Sequence, residues 1–164
     1  MRAIIRSLVL LLLLSLTSSA QSGINKQAER LQKEKDKLNR QTDPVGRTKT
    51  QIKIAEILLT MINDTVQAGD MELMQKRLGE YTAAIQDAHQ TMMKTGRDAH
   101  RKPGGFKDLE IALRRHVRQL EDIGKGLTFD QRDAVNKARD EAENIRDEML
   151  KALFGEQNAP SRKS

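Results

Sequence analysis

The stretch Ile52–Ile62, with the sequence IKIAEILLTMI, decides the fold of this chain. Eight of its eleven residues are apolar, and only Lys53 and Glu56 carry a charge. On a helix drawn at about 100° per residue, the polar side chains of this region share one narrow strip: Lys49, Lys53, Glu56, Thr60 and Asp64. Because nearly all the remaining circumference is apolar, other parts of the protein must cover it. The stretch therefore predicts the central helix of a helical bundle.

The rest of the chain carries apolar residues at alternating steps of three and four, which is the spacing of one helix face. These seams predict long helices over about 43–68, 71–94, 106–123 and 128–154. Gly69 and Asp70 give the first two helices the signature of an αα-hairpin, since glycine ends helices and aspartate caps them. The segment 95–105, rich in glycine and interrupted by proline, predicts a loop.

These helices predict an all-α protein in which two αα-hairpins form an antiparallel bundle of four long helices over residues 43–154. Residues 21–42 have a narrow apolar seam that Lys35 interrupts, so they predict a polar N-terminal helix that packs weakly against the bundle. Regular seams also suit coiled coils, so an extended hairpin that pairs with a second copy of the chain is the alternative. The polar residues 155–164 predict a disordered tail.

Residues 1–20 have the composition of a secretory signal peptide. Arg2 and Arg6 give a positive start, an apolar run follows, and small residues precede a cleavage site after Ala20. The uncharged run over residues 8–16 is shorter than the roughly twenty apolar residues that span a bilayer. We therefore expect an exported protein, periplasmic or secreted, whose mature chain has no stable membrane span.

The mature chain is mildly basic. The formal net charge of +6 falls to +4 without Arg2 and Arg6. An exported protein of this charge meets anionic lipid headgroups and polysaccharides, and we expect no nucleic acid partner. A charge of this size also keeps a protein soluble without any specific partner. The chain has no cysteine, which excludes disulfides.

No combination of residues predicts a catalytic site. An activated nucleophile needs a rigid setting beside a base, whereas the serines of the mature chain lie in terminal segments: Ser22, Ser161 and Ser164. The carboxylates alternate with Lys and Arg at helical spacing, which is typical of a solvent-exposed helix face. Aromatic residues are few, so stacking of sugars or bases is not expected. We predict a non-enzymatic protein without a cofactor.

Histidines and methionines are the candidate ligands for a metal. His89, His100 and His116 lie far apart in the sequence and form no HxxxH or HExxH motif, so no metal site is predicted. His116 lies on the apolar seam of its helix and is interpreted as a histidine at the edge of the core. A site shared by His89 and His116 is the alternative. The methionines of the helix over 71–94 lie mostly on its seam and are expected in the core rather than in a copper site or a client-binding surface.

The loop over 95–105, between the helices predicted at 71–94 and 106–123, is the segment whose composition suggests a binding site. It concentrates positive charge that only Asp98 and Asp108 counter locally, and its paired glycines allow backbone N–H groups to approach a ligand. The next helix offers an N-terminus, which favours anions. We predict a site for phospholipid, phosphorylated polysaccharide or an acidic protein surface at these residues: Lys94, Arg97, Arg101, Lys102, Gly104, Gly105 and Lys107. The alternative is a mobile loop that its charges keep soluble.

Residues 127–132, Leu-Thr-Phe-Asp-Gln-Arg, resemble the LTxxQ motif of small exported helical proteins that include periplasmic chaperones. The resemblance implies an ATP-independent, all-α dimer that shields unfolding client proteins. A second copy of the motif, usual in that family, is missing, because Leu59–Asn63 lacks the glutamine. Our leading hypothesis is a non-enzymatic structural or interaction protein with a protein or an anionic surface as its partner. A chaperone or stress sensor is the alternative.

Overall fold

The computed structural model describes the backbone of residues 17–155 and the side chains of residues 26–155. This part of the chain is helical and contains no strand, so the predicted all-α class is confirmed for it. Its five helices are α1 (Thr17–Arg40), α2 (Pro44–Ala68), α3 (Met71–Met93), α4 (Phe106–Lys125) and α5 (Phe129–Phe154). Most of the predicted signal peptide, and the predicted tail after its first residue, lie outside the described residues, so both stay predictions.

Polar caps and a glycine set the start of α2 and its connection to α3. Asp43 caps α2 by accepting a hydrogen bond from the Gly46 N–H at 2.7 Å. Gly69 ends α2 in the left-handed conformation, with φ at 73°, and Asp70 then accepts a hydrogen bond from the Leu73 N–H at 3.0 Å. The connection between these two helices therefore lies where the sequence predicts it.

Other helices surround α2, as its composition predicts. It contacts α1, α3 and α4. Along its polar strip Lys49, Lys53 and Thr60 are exposed, and Glu56 and Asp64 are half-buried. The apolar side chains of its middle are all buried: Ile52, Ile54, Ala55, Ile57, Leu58, Leu59, Met61 and Ile62. Burial on several sides makes α2 the centre of the core.

The seams predicted for α3, α4 and α5 also lie in the core. α5 contacts both α3 and α4. The buried residues of the three seams are Met74, Leu78, Tyr81, Ile85, Ala88 and Met92 in α3, Phe106, Leu109, Leu113, His116, Leu120 and Ile123 in α4, and Val135, Ala138, Ala142, Ile145, Met149 and Leu153 in α5. The three-four periodicity of the sequence therefore identifies the buried face of each helix.

α1 lies at the edge of the described core. Leu31 is the buried apolar side chain that it contributes, and Leu38 is partly buried. The helix packs on α2, and its Lys35 also lies near Glu80 of α3, with 3.8 Å between Nζ and Oε2. One buried apolar residue gives α1 much less apolar contact among the described side chains than the seams give the other four helices.

Candidate anion-binding surface between α3 and α4

The loop of residues 94–105 joins α3 to α4 and packs against the C-terminal end of α5. Nδ1 of His100 is 3.3 Å from the backbone oxygen of Leu153, which connects the loop to α5. A Cβ atom on Gly104 would touch Val45 at the start of α2. The loop therefore lies at the end of the molecule where α2 and α4 begin and where α3 and α5 end.

All five basic residues predicted for the site are exposed around this loop. Arg101 forms a salt bridge with Asp98, with 3.5 Å between Nε and Oδ2. Among the described residues, no carboxylate lies within ion-pair distance of the other four: Lys94, Arg97, Lys102 and Lys107. Within the described residues, the positive charge of these four side chains is therefore not offset by a carboxylate in contact with them.

The other two carboxylates near the loop also have basic partners. Asp108 Oδ2 is 3.5 Å from Nζ of Lys49 on α2. The buried Glu110 accepts hydrogen bonds from Arg114 Nε at 3.1 Å and Nη2 at 2.6 Å. Since these carboxylates are already paired, they do not neutralise the basic side chains of the loop.

The two predicted glycines do not have the same environment. Gly104 is exposed, whereas Gly105 is buried and donates its N–H to Asp108 Oδ2 at 3.1 Å. Gly105 has φ at 84°, and a Cβ atom there would overlap the Sδ atom of Met92. Gly105 thus allows close packing at the start of α4, and its N–H is engaged by the carboxylate of the helix itself.

An open groove of about 500 Å³ lies beside the loop, between α4 and the end of α5. Its lining combines apolar side chains, basic side chains and one carboxylate: Ala99, His100, Pro103, Lys107, Glu110, Ile111, Arg114, Leu153 and Phe154. Ile111 is 43% exposed and Phe154 is 60% exposed. The sequence prediction missed both residues. Ile111 could have been found as an apolar residue that lies off the seam of α4, since such residues are left at the surface when the seam is buried.

The structure does not bring His89 and His116 to a common site. Nε2 of His89 on α3 is 2.9 Å from Oε2 of Glu148 on α5. Nδ1 of His116 on α4 is 3.4 Å from the Tyr81 hydroxyl on α3, and the two rings meet edge to face at 5.7 Å. Within residues 26–155, no three His, Asp or Glu side chains are grouped as metal ligands.

His116 and Tyr81 form a buried pair that stays uncharged near neutral pH. Burial, and to a smaller extent the charge of the neighbouring Arg115, lowers the pKa of His116 to about 4. Burial raises the pKa of the Tyr81 hydroxyl well above its ordinary value. His116 also borders a groove of about 410 Å³ between α2 and α4, which a salt bridge crosses with 2.9 Å between Arg115 Nη2 and Glu56 Oε1. This pair therefore acts as part of the core.

The LTxxQ-like string forms the start of α5. Leu127 is buried, and Gln131 Oε1 accepts a hydrogen bond from the Thr128 N–H at 3.2 Å. This is half of a capping box, which explains the spacing of the threonine and the glutamine. Phe129 lies between them and is 87% exposed, more than any other large apolar side chain described.

No protein-family model matches this sequence, and no curated protein or solved structure is significantly similar to it.

Proposed function

We propose that this chain is an exported, non-enzymatic helical-bundle protein that binds an anionic partner. Binding takes place at the loop surface, which we define as the basic side chains Lys94, Arg97, Arg101, Lys102 and Lys107 together with the exposed Ile111 and Phe154. Export rests on the composition of residues 1–20, which resembles a signal peptide.

The bundle that we propose consists of two antiparallel αα-hairpins, α2–α3 and α4–α5, placed side by side. Extensive contact within each pair supports it, as does contact between α2 and α4 and between α3 and α5. Two salt bridges support a common direction for α2 and α4, because Lys49 meets Asp108 and, seven residues further along both helices, Glu56 meets Arg115. The hairpins provide a rigid end on which the loop surface is presented.

One observation carries the functional proposal: the basic loop lies beside a groove with exposed apolar side chains. The carboxylates of this region are already paired with Arg101, Lys49 and Arg114. Exposed apolar side chains next to uncompensated positive charge are typical of interaction surfaces rather than of an ordinary solvated face.

A binding role is also supported by the ionisable groups in the interior. His116 and Tyr81 are buried, with 3.4 Å between Nδ1 and the hydroxyl, so almost none of either side chain is exposed to a substrate. Glu110 is held by Arg114. A general acid or base has to reach a proton on its substrate, and these groups are used in packing instead.

The proposal is tested by the binding of the mature protein to immobilised heparin, a soluble polyanion without an apolar phase. Arg101→Ala/Lys102→Ala should elute at a lower salt concentration and bind roughly tenfold more weakly, because two of the exposed cations are removed. Lys76→Ala/Lys137→Ala is the matched control, since both lysines are exposed and lie toward the opposite end of the molecule. Equal elution of the two double variants would contradict the proposal.

A chaperone activity is the second candidate, and the exposure of Phe129 favours it. An aromatic side chain that is 87% exposed offers a contact for unfolding proteins. If the candidate is correct, the protein suppresses aggregation of a denatured enzyme at substoichiometric amounts, and Phe129→Ser weakens the suppression. A wild-type protein that leaves the aggregation unchanged would eliminate this candidate.

A further inference from the structure

We propose that the partner at the loop surface is the headgroup region of an anionic phospholipid bilayer, into which Ile111 and Phe154 insert. The inference rests on the function proposed above and names the chemistry of the partner. In this arrangement the protein lies on a membrane surface. The basic side chains of the loop surface contact lipid phosphates, and its apolar side chains lie deeper in the membrane interface.

Exposed apolar side chains concentrate at this end of the molecule. Four large apolar side chains are exposed within residues 26–155, and three of them border the loop: Met93, Ile111 and Phe154. The fourth, Phe129, lies at the other end of α5. Because large apolar side chains elsewhere in the described helices are buried or partly buried, this clustering marks the loop end as the surface with most to gain from leaving water.

The charge of the same surface matches an anionic membrane. Lys94, Arg97, Lys102 and Lys107 are exposed and have no carboxylate partner in the described part of the chain. Asp98, which pairs with Arg101, is the exposed carboxylate within the loop. Basic side chains beside an anionic leaflet contribute additively to binding, so these four favour a surface that presents many phosphates at once.

The manner of binding follows from the shape of the surface. The groove is open, and Ile111 and Phe154 line it while each keeps a large exposed fraction. No helix among those described is long and apolar enough to cross a bilayer. The geometry therefore fits contact with one leaflet, in which a few apolar side chains enter the interface and the helices stay outside it.

A bilayer fits these observations better than the other anionic partners. Polysaccharides and polyphosphates match the basic side chains but supply no apolar phase for Ile111 and Phe154. Peptide-binding grooves hold the alternate side chains of the peptide in fitted pockets, whereas this groove is open to solvent. A membrane interface accepts protruding apolar side chains without any matching pocket.

Cosedimentation of the mature protein with vesicles tests the inference. Binding is expected to vesicles that contain phosphatidylglycerol in phosphatidylcholine, and much weaker binding to phosphatidylcholine alone. Ile111→Ser/Phe154→Ser should weaken binding to the anionic vesicles about tenfold, because it removes the inserted apolar surface. Phe129→Ser is the matched control and should bind vesicles as the wild type does. The melting temperature of each variant is measured, and binding is compared among variants whose melting temperatures equal that of the wild type.

The outcomes distinguish a failure of this inference from a failure of the proposed function on which it rests. The inference that a bilayer is the partner would be contradicted if the Ile111→Ser/Phe154→Ser variant bound anionic vesicles as tightly as the wild type. Equal binding of the wild type to both kinds of vesicle would also contradict it. Salt-sensitive binding to heparin without binding to anionic vesicles would also overturn it and would leave the proposed function standing. A protein that binds neither heparin nor vesicles would refute both. Loss of vesicle binding in the Ile111/Phe154 variant with unchanged heparin binding supports the inference.

Discussion

Gly105 shows how a single residue shapes the loop surface. Its positive φ is unfavourable for any residue with a Cβ atom, and the space where that atom would lie is filled by Met92. Gly69 also has a positive φ, but no atom lies near its missing side chain. The two glycines also differ in backbone conformation, because Gly69 is left-handed helical with ψ at 13°, whereas Gly105 has ψ at −53° and lies outside that region.

Gly105→Ala should destabilise the protein more than Gly69→Ala does. We expect about 1 kcal/mol for the Gly69 variant, from the left-handed backbone alone, and about 3 kcal/mol for the Gly105 variant, because its backbone lies outside the left-handed region and Met92 must move as well. Urea denaturation of both variants measures the difference. Equal free energies of unfolding would contradict both the backbone conformation of Gly105 and the packing of Met92 against it.

The burial of His116 couples the stability of the protein to pH. Its pKa lies at about 4 in the folded protein and near 6.5 when unfolded, so the unfolded chain binds the proton first as the pH falls. The contribution of the neutral His116 to the free energy of unfolding is thus fully present above about pH 6.5 and is lost as the pH falls toward 4. The difference between the two pKa values corresponds to roughly 3 kcal/mol in the free energy of unfolding.

His116→Phe should reduce the difference in unfolding free energy between pH 7 and pH 4 by roughly 3 kcal/mol, because the variant has no buried group to protonate. His89→Gln is the matched control. The ring of His89 is half-buried and contacts Glu148 rather than His116 or Tyr81. Its replacement should therefore leave the contribution of His116 to the pH dependence of stability unchanged. If denaturation shows the same pH dependence in wild type and in His116→Phe, the imidazole is not enclosed as described.

At the scale of the helices, α2 and α1 differ in how their faces are covered. α2 contacts three helices and buries apolar residues around most of its circumference. α1 packs on α2 and buries Leu31 among its described side chains. Helices with few buried contacts open locally at low cost, whereas a central helix opens only when the whole domain unfolds.

Leu58→Ala should therefore lower the global stability of the protein, whereas Leu31→Ala should mainly increase local opening of α1. The first removes a fully buried side chain from α2 and should cost about 3 kcal/mol of global stability. The second should accelerate amide hydrogen exchange in residues 26–40 and change global stability by less than about 1 kcal/mol. Exchange measured by mass spectrometry, alongside urea denaturation, distinguishes them. An equal global loss in both variants would show that α1 unfolds together with the rest.

At the scale of the whole molecule, contacts between side chains distant in sequence define how the helices meet. Lys49 of α2 lies beside Asp108 of α4, and Gln86 of α3 donates a hydrogen bond to Glu141 of α5 at 2.7 Å. Exposed polar contacts of this kind contribute little to stability. Their value is as markers of which helices are neighbours.

A zero-length carbodiimide cross-link should join Lys49 to Asp108, because the amine and the carboxylate are 3.5 Å apart. Peptide mass spectrometry of the monomeric product identifies the linked residues. Lys49→Arg should abolish this cross-link and leave the one expected between Lys35 and Glu80 unchanged. Failure to find the Lys49 link in the wild-type protein would mean that α2 and α4 are not neighbours there.

The surroundings of the proposed binding loop were predictable in part, and binding there stays a prediction. The basic loop was identified from its composition, and its cations are exposed as expected. The engagement of the Gly105 N–H by Asp108 was not foreseen, since it depends on the side-chain conformation at the first turn of α4. Ile111 and Phe154 were missed because each belongs to a helix whose seam is otherwise regular, and they meet only when α4 and α5 pack together.

The sequence by itself determined the helical class, the position of the connections, the buried faces of α2 to α5 and the central place of Ile52–Ile62. These properties are local, because capping, glycine conformation and three-four periodicity act within a few residues of each other. Only the tertiary structure decided that Lys107, Ile111 and Phe154 share one groove, and that His89 and His116 have different partners. The reason is physical: many arrangements of amphipathic helices bury the same apolar seams, and the side-chain packing of the assembled core selects among them.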